Sequence, residues 1–247
     1  MNPVFTRSGL SRKYRTPFTR IAALARAAFL AIAVFACHGC RNDDVVAPKP
    51  PAPPPVDAAA IKAKAEGGDA QAQFEYGNLL MKPGATAPDY KAAAEWLRKS
   101  AAAGCVDASA ALGELTAAGQ GVKKDLKAAI ELFRQAAEKG SVSGQYNLGY
   151  AYERGSGVDN DESLATKWYL RAAEGGDATA QYDVAQRFEL GLGCNTNLIE
   201  SYKWYAVATK NGQPDAKIKF KALKGKLSSV QIKEAEQLIS GFVPEKR

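Results

Sequence analysis

Residues 144–176, GQYNLGYAYERGSGVDNDESLATKWYLRAAEGG, decide the fold of this chain because their pattern returns at intervals of 36 residues. A large apolar residue marks the second half of the pattern, at Trp96, Leu132, Trp168 and Trp204. A glycine marks its end, at Gly68, Gly104, Gly140, Gly176 and Gly212. A period of this length predicts stacked supersecondary units that form a solenoid.

Each unit of the pattern is typical of two helices. In the third unit, residues 144–152 carry apolar or small side chains at helical spacing, and a Gly-Ser-Gly turn at 155–157 stops them. Asp161 is a candidate N-cap for a second helix, whose apolar stripe includes Trp168. The cap position recurs as Asp89, Asp125, Asp161 and Asn197. A second recurring position, inside the first helix, holds Gly77, Gly113, Gly149 and Ala185. Because a glycine inside a helix costs about 1 kcal/mol, this column predicts close approach between helices.

The ends of the repeat array have the pattern of capping helices. Residues 57–66 predict a lone helix before the first unit, and residues 214–224 and 228–240 predict a closing pair after the fourth. Ser228 and Gln231 form a capping-box signature. We therefore expect an all-α chain of four repeats with helical ends, more than the roughly three repeats that a solenoid needs.

The glycine phase, the cap and the Trp-aromatic pair together resemble the Sel-one-like repeat, a relative of the tetratricopeptide repeat. The resemblance covers residues 57–242 and implies a right-handed α/α solenoid of about four 36-residue helix pairs with helical end caps. The first unit departs from the pattern, because residues 83–88 (PGATAP) replace its Gly-x-Gly-Val turn. One branch of related proteins carries a disulfide in every unit and has been associated with β-lactam binding. That regular cysteine pairing is missing here, so the resemblance to this branch is poor.

The first 56 residues have a different composition. Six Lys and Arg precede an apolar run at 27–37, and no acidic residue occurs before Asp43. As a helix the run would extend about 16 Å, too short for a hydrocarbon core of about 30 Å. We therefore expect residues 1–39 to be a secretory signal peptide. Cys40 follows a glycine and resembles the lipidated residue of a bacterial lipoprotein.

The N-terminal prediction leaves alternatives open. Cleavage before Cys37, an uncleaved inner-membrane anchor and a freely secreted protein are the other possibilities. The preferred interpretation is a cell-envelope lipoprotein, lipid-anchored and facing the periplasm. Residues 40–56 would then be the anchor and a proline-rich linker, with a recognition segment as the alternative for the prolines. Residues 243–247 are expected to form a disordered tail.

The charge of the chain gives no support to nucleic-acid binding. The formal net charge is +7, but six of the 33 Lys and Arg precede Cys40, which leaves 27 basic residues against 26 acidic ones. The remaining basic cluster lies in the first closing helix, at Lys217, Lys219, Lys221, Lys224 and Lys226. It is either a solvated face of a capping helix or a docking patch for anionic lipid, glycan or a partner.

The sequence contains few candidates for catalytic residues or metal ligands. The one histidine, His38, precedes the predicted cleavage point, so imidazole bases, Ser-His-Asp triads and histidine metal sites are not expected. Cys105 and Cys194 are more than two units apart, which predicts free thiols, with Cys194 largely buried. The sequence 159–163 begins like a calcium loop, but Leu164 stands where that loop needs glycine. We expect no cofactor, no metal and no catalytic residue.

Two classes of function remain. The first is a protein-interaction scaffold, whose concave surface would be built from the first helix of each unit and would bind an unknown protein or peptide. The second is an envelope enzyme or cell-wall hydrolase accessory that uses carboxylates alone. By analogy with tetratricopeptide domains, the expected partner-binding positions are Glu75, Asn78, Glu114, Asn147, Tyr150, Asp183 and Gln186. Phe74, Tyr146 and Tyr182 precede some of these positions by one residue, and their spacing assigns them to the core.

Overall fold

A computed structural model of the protein describes residues 57–82 and 88–244, and within these ranges it contains eleven α-helices and no β-strand. The helices are α1 (Ala58–Glu66), α2 (Ala70–Met81), α3 (Tyr90–Ala102), α4 (Val106–Ala118), α5 (Leu126–Glu138), α6 (Val142–Arg154), α7 (Glu162–Glu174), α8 (Ala178–Leu190), α9 (Leu198–Lys210), α10 (Ala216–Lys224) and α11 (Ser229–Gly241). The predicted all-α solenoid of four helix pairs is confirmed. The signal peptide at 1–39, the anchor and linker at 40–56, most of the first inter-helix turn and the end of the tail lie outside the described residues.

The side chains at the predicted cap position start the second helices. Asp89, Asp125, Asp161 and Asn197 each accept a hydrogen bond from a backbone N–H in the first turn of α3, α5, α7 and α9. Such bonds satisfy N–H groups that have no partner within the helix. The first helices α4, α6 and α8 end on a left-handed glycine, which lets the chain reverse towards the second helix.

The helix-interior glycines allow the two helices of one unit to pack closely, as predicted. A Cβ added at Gly113 would lie 2.6 Å from Cε1 of Phe133, on α5. One added at Gly149 would lie 3.0 Å from Cδ1 of Tyr169, on α7. The recurring glycine is therefore the contact point of each helix pair, and its helix-propensity cost is offset by burial of the facing side chain.

Two contacts repeat between neighbouring units. Gln145 is buried and donates from Nε2 to the carbonyl of Ala137, at the end of the preceding unit's second helix. Gln73 and Gln181 make the same bond to residues eight positions earlier. In addition, the second glycine of each described inter-helix turn, such as Gly193, lies against the start of the preceding second helix. These contacts fix the stacking of one unit on the next.

The large apolar residues that recur in the second helices are fully buried at only one of four positions. They are Trp96, Leu132, Trp168 and Trp204. Trp204 is 1% exposed because Phe242 packs on it, with ring centroids 5.1 Å apart. Trp168, which was predicted in the apolar stripe of its helix, packs against the core but is only half-buried, and Arg171 lies over its ring at 4.7 Å. Among the described residues, no aromatic ring stacks on Trp168 as Phe242 stacks on Trp204. Phe74, Tyr146 and Tyr182 are also half-buried.

The 36-residue register continues into α10 and ends there. Its Ala216 is buried like the equivalent small residues of the four earlier first helices, Ala72, Ala108, Gly144 and Ala180. α10 is therefore a fifth first helix. The capping box of Ser228 and Gln231 is confirmed and starts α11 five residues before a fifth second helix would begin. α11 packs on α9, so the predicted closing helices exist but do not form a helix pair with each other.

Candidate functional site

The predicted partner-binding residues form two columns on the first helices α2, α4, α6 and α8. We call this surface the first-helix face. One column contains Glu75, Asn147 and Asp183, and the other contains Asn78, Glu114, Tyr150 and Gln186. Three residues separate the columns, so that they lie side by side on each helix. Glu75 is exposed and the other six residues are half-buried, so the face is a surface and not part of the core.

Hydrogen bonds join the columns of neighbouring units. Asn147 donates from Nδ2 to Oε1 of Glu114 at 2.8 Å, which links the third unit to the second. The hydroxyl of Tyr146 donates to Oδ2 of Asp183 at 3.1 Å, which links the third unit to the fourth. Gln186 donates to the hydroxyl of Tyr182 at 3.3 Å. The structure therefore brings Glu114 together with Asn147. Asp183 and Gln186 bond instead to tyrosine hydroxyls.

The first unit is less connected to this arrangement. Glu75 accepts a hydrogen bond from Gln71 of its own helix at 3.1 Å, and Asn78 is half-buried on α2. The face is thus best ordered across the second, third and fourth units.

Tyr150 is the largest of the predicted partner-binding side chains. It is half-buried on α6, and the guanidinium of Arg154 lies 5.5 Å from its ring centroid. A cation over one ring face holds the ring in place through the quadrupole of the aromatic system. Tyr150 therefore offers a positioned ring and a hydroxyl at the centre of the first-helix face.

The sequence reasoning missed Tyr146 and Tyr182 as members of this face. Their 36-residue spacing was visible, but it was interpreted as core packing, whereas each ring has an apolar edge in the core and a hydroxyl in the polar columns. Tyrosine commonly combines these two roles. The signal that could have identified them is the hydroxyl group, because a fully buried column of core residues would favour phenylalanine.

A buried arginine was also missed, and it joins the third and fourth units. Arg187 on α8 is 3% exposed, and its guanidinium lies 2.8 Å from a carboxylate oxygen of Glu162 and 3.4 Å from one of Glu153. Tyr169 donates its hydroxyl to Glu153 at 2.7 Å, and burial raises the pKa of this phenol well above its ordinary value. All these partners of Arg187 belong to the third unit. The cluster is therefore a clamp between units.

The two cysteines of the described residues are free thiols, as predicted. The expectation that Cys194 is largely buried was wrong: it is half-buried, because it lies in a turn between Gly193 and Asn195, which are exposed. Burial nevertheless raises the pKa of its thiol. Among residues 57–82 and 88–244, no group of three His, Cys, Asp or Glu side chains is close enough to hold a metal ion. None of the helices in these ranges is long and apolar enough to cross a membrane.

A comparison with family models finds four consecutive matches. The model described as Sel1 repeat matches residues 70–105, 106–141, 142–177 and 178–213, which together make up more than half of the chain. Each match begins at or beside the start of a first helix and contains one complete helix pair. A comparison with curated proteins gives no significant match.

Solved structures with the same repeat are similar to this chain. A Sel1 repeat protein from Oxalobacter formigenes is 28% identical, with a TM-score of 0.63 over 74% of this chain and 77% of that protein. A protective antigen of uropathogenic Escherichia coli, described as displaying an SLR fold, is 29% identical over 75% of this chain, with a TM-score of 0.49. The chain spans about half, 48%, of the length of that antigen.

Proposed function

Because this chain belongs to the Sel1 repeat family, we propose that it is a non-catalytic scaffold that binds a protein or peptide on its first-helix face. The observation that carries the proposal is the pair of hydrogen bonds between neighbouring units, Asn147 to Glu114 and Tyr146 to Asp183. They hold polar side chains of three units in one fixed arrangement on a surface.

Fixed side chains favour binding for an entropic reason. Immobilising a flexible side chain at an interface costs about 0.5–1.5 kcal/mol, and a side chain that is already held loses less on association. Tyrosine is enriched among the residues that dominate binding energies, because its ring covers a large area and its hydroxyl forms a hydrogen bond. Tyr150, with Arg154 against its ring, is therefore the proposed main contact, and Asn147 its polar neighbour.

The test is a crosslinked pull-down of the double variant Asn147→Ala/Tyr150→Ala. Its matched control is Gln135→Ala/Lys167→Ala, which removes two exposed side chains from the second helices α5 and α7. The control should unfold at nearly the same denaturant concentration as the unmodified protein, because surface changes usually shift stability by less than about 0.5 kcal/mol. The first variant also loses the hydrogen bond between Asn147 and Glu114 and a half-buried ring that packs against the core, so it should be less stable, and circular dichroism is used to show that it is folded at the temperature of the pull-down. A discrete partner should be lost from the first variant and kept by the control. Equal capture by both variants would contradict the assignment of this face.

The location of the protein is a separate proposal, supported by the sequence 27–40. We propose a cell-envelope lipoprotein, anchored through lipid on Cys40 and facing the periplasm. Cys40→Ser should leave an uncleaved precursor and abolish labelling by a fatty-acid analogue, whereas the matched Cys37→Ser variant should be labelled normally. Labelling that survives in Cys40→Ser and disappears in Cys37→Ser would place the anchor at residue 37. If the two variants and the unmodified protein all remain unlabelled, the proposal of lipidation is contradicted.

A further inference from the structure

The helix α10 has an open face that is covered in every other first helix. In α2, α4 and α6, the side that carries Gly77, Gly113 and Gly149 packs on the second helix of the same unit. The same position of the register is Ala185 in α8 and Lys221 in α10. Because α11 packs on α9, no second helix of the described residues lies along α10 in the way that α3, α5, α7 and α9 lie along their partners.

Lysines occupy this open face. Lys217, Lys221 and Lys224 follow helical spacing of four and three residues, so they form one stripe along α10. All three are exposed, and none of their side chains forms an ion pair or hydrogen bond with another described residue. A neighbouring side of the helix, with Ala216 and Leu223, is buried. The stripe is therefore a solvated row of positive charge and not part of a salt-bridge network.

The segment around the stripe carries positive charge only, and it also exposes apolar side chains. Residues 216–233 contain six lysines and no Asp or Glu. Ile218, next to the stripe on α10, is 71% exposed, and Val230 in the first turn of α11 is 74% exposed. Lys226, by contrast, lies after the end of α10 and is paired with Glu189 of α8 at 3.0 Å.

We propose that the Lys217–Lys221–Lys224 stripe and Ile218 form a docking surface for an anionic phospholipid bilayer. Lysines near a membrane are attracted by the negative surface potential of anionic lipids, and an apolar side chain among them enters the boundary between headgroups and acyl chains. An acidic protein segment would also complement the charge of the lysines. It would leave the exposed Ile218 without an apolar partner, whereas a bilayer provides one. The surface is separate from the first-helix face and does not depend on lipidation of the chain.

The experiment is lysine acetylation of the full-length chain, with and without vesicles, followed by mass spectrometry of each lysine. Vesicles of phosphatidylglycerol and phosphatidylcholine should slow acetylation of Lys217, Lys221 and Lys224 several-fold. Vesicles of pure phosphatidylcholine should not. Lys127 and Lys167, exposed on second helices, are internal controls whose rates should stay unchanged. The N-terminal segment carries six Lys and Arg and should itself prefer anionic vesicles, so the contact of α10 is measured as protection of the stripe relative to Lys127 and Lys167 of the same chain.

A charge-removing variant tests the same surface by affinity. Lys217→Gln/Lys221→Gln/Lys224→Gln should reduce the preference for anionic over neutral vesicles by roughly fivefold for each lysine. The matched control Lys91→Gln/Lys127→Gln/Lys167→Gln removes three exposed lysines from second helices and should keep the preference. Salt at 1 M should abolish it, because the Debye length falls to about 3 Å.

Three results would overturn the proposal. The first is unchanged acetylation of the stripe on anionic vesicles. The second is equal loss of preference in the two triple variants, which would mean that only net charge matters. The third is protection by a polyglutamate peptide but not by vesicles, which would identify an acidic protein segment as the occupant.

Discussion

Gly193 should be among the positions where a single methyl group most disturbs the stacking of units. The residue has a φ of +65°, and a Cβ added to it would overlap the carbonyl oxygen of Glu162 and lie 2.7 Å from the backbone nitrogen of Ser163. A left-handed conformation costs a non-glycine residue about 1–2 kcal/mol. Overpacking against backbone costs about 1–3 kcal/mol more. Gly193→Ala should therefore lower the free energy of unfolding by about 2–5 kcal/mol.

The matched control is Gly212→Ala. Gly212 has a similar φ of +83°, but an added Cβ would have no heavy atom within 4 Å. This variant should lose only the conformational part, about 1–2 kcal/mol. Urea unfolding followed by circular dichroism measures both values. Equal destabilisation of the two variants would refute the argument, because it would show that the turn does not press on the preceding unit.

Three further variants test other contacts. Trp204→Ala should destabilise by about 3–5 kcal/mol, as expected for emptying a buried aromatic site, and by clearly more than Trp168→Ala; equal effects in thermal unfolding would contradict the burial difference. Arg187→Met should destabilise by about 1.5–3 kcal/mol through loss of charge-assisted hydrogen bonds, and a neutral result in urea would show that the clamp is dispensable. Burial would raise the pKa of Glu189, but hydrogen bonds from Lys226 and Tyr205 outweigh it and lower this pKa. The stability that Glu189 adds should therefore be complete above its unfolded pKa of about 4.3 and lost as the pH falls below it, and Glu189→Gln should flatten that dependence of stability on pH.

The fold could be predicted from the sequence because each local signal repeats. The same cap residue, glycine and turn occur at one spacing in several units, so that an error at one position is corrected by the others. The closing helices were harder to predict. α10 keeps the register, but the Gly-x-Gly turn that would start a fifth second helix is absent, and only the tertiary contacts show that α11 packs on α9.

The candidate site could be predicted only in part. Spacing alone selects Asn147 and Glu114 as surface positions, but it gives no sign that they bond to each other across units. The same limit explains Arg187: helical spacing gave no reason to place a charged residue inside, and only its position beside Glu153 and Glu162 makes burial tolerable. Contacts between units depend on stacking geometry, which a repeat period does not specify.

Site-specific photocrosslinking in cells tests the scaffold function most directly. A photoreactive phenylalanine analogue replaces Tyr150 on the first-helix face or, as the matched control, Lys167 on a second helix. We expect a discrete crosslinked product from position 150, lost when Asn147→Ala is added, and none from position 167. Crosslinking from position 167 alone, or from neither position while the unmodified protein still captures its partner, would show that binding occurs elsewhere on the molecule.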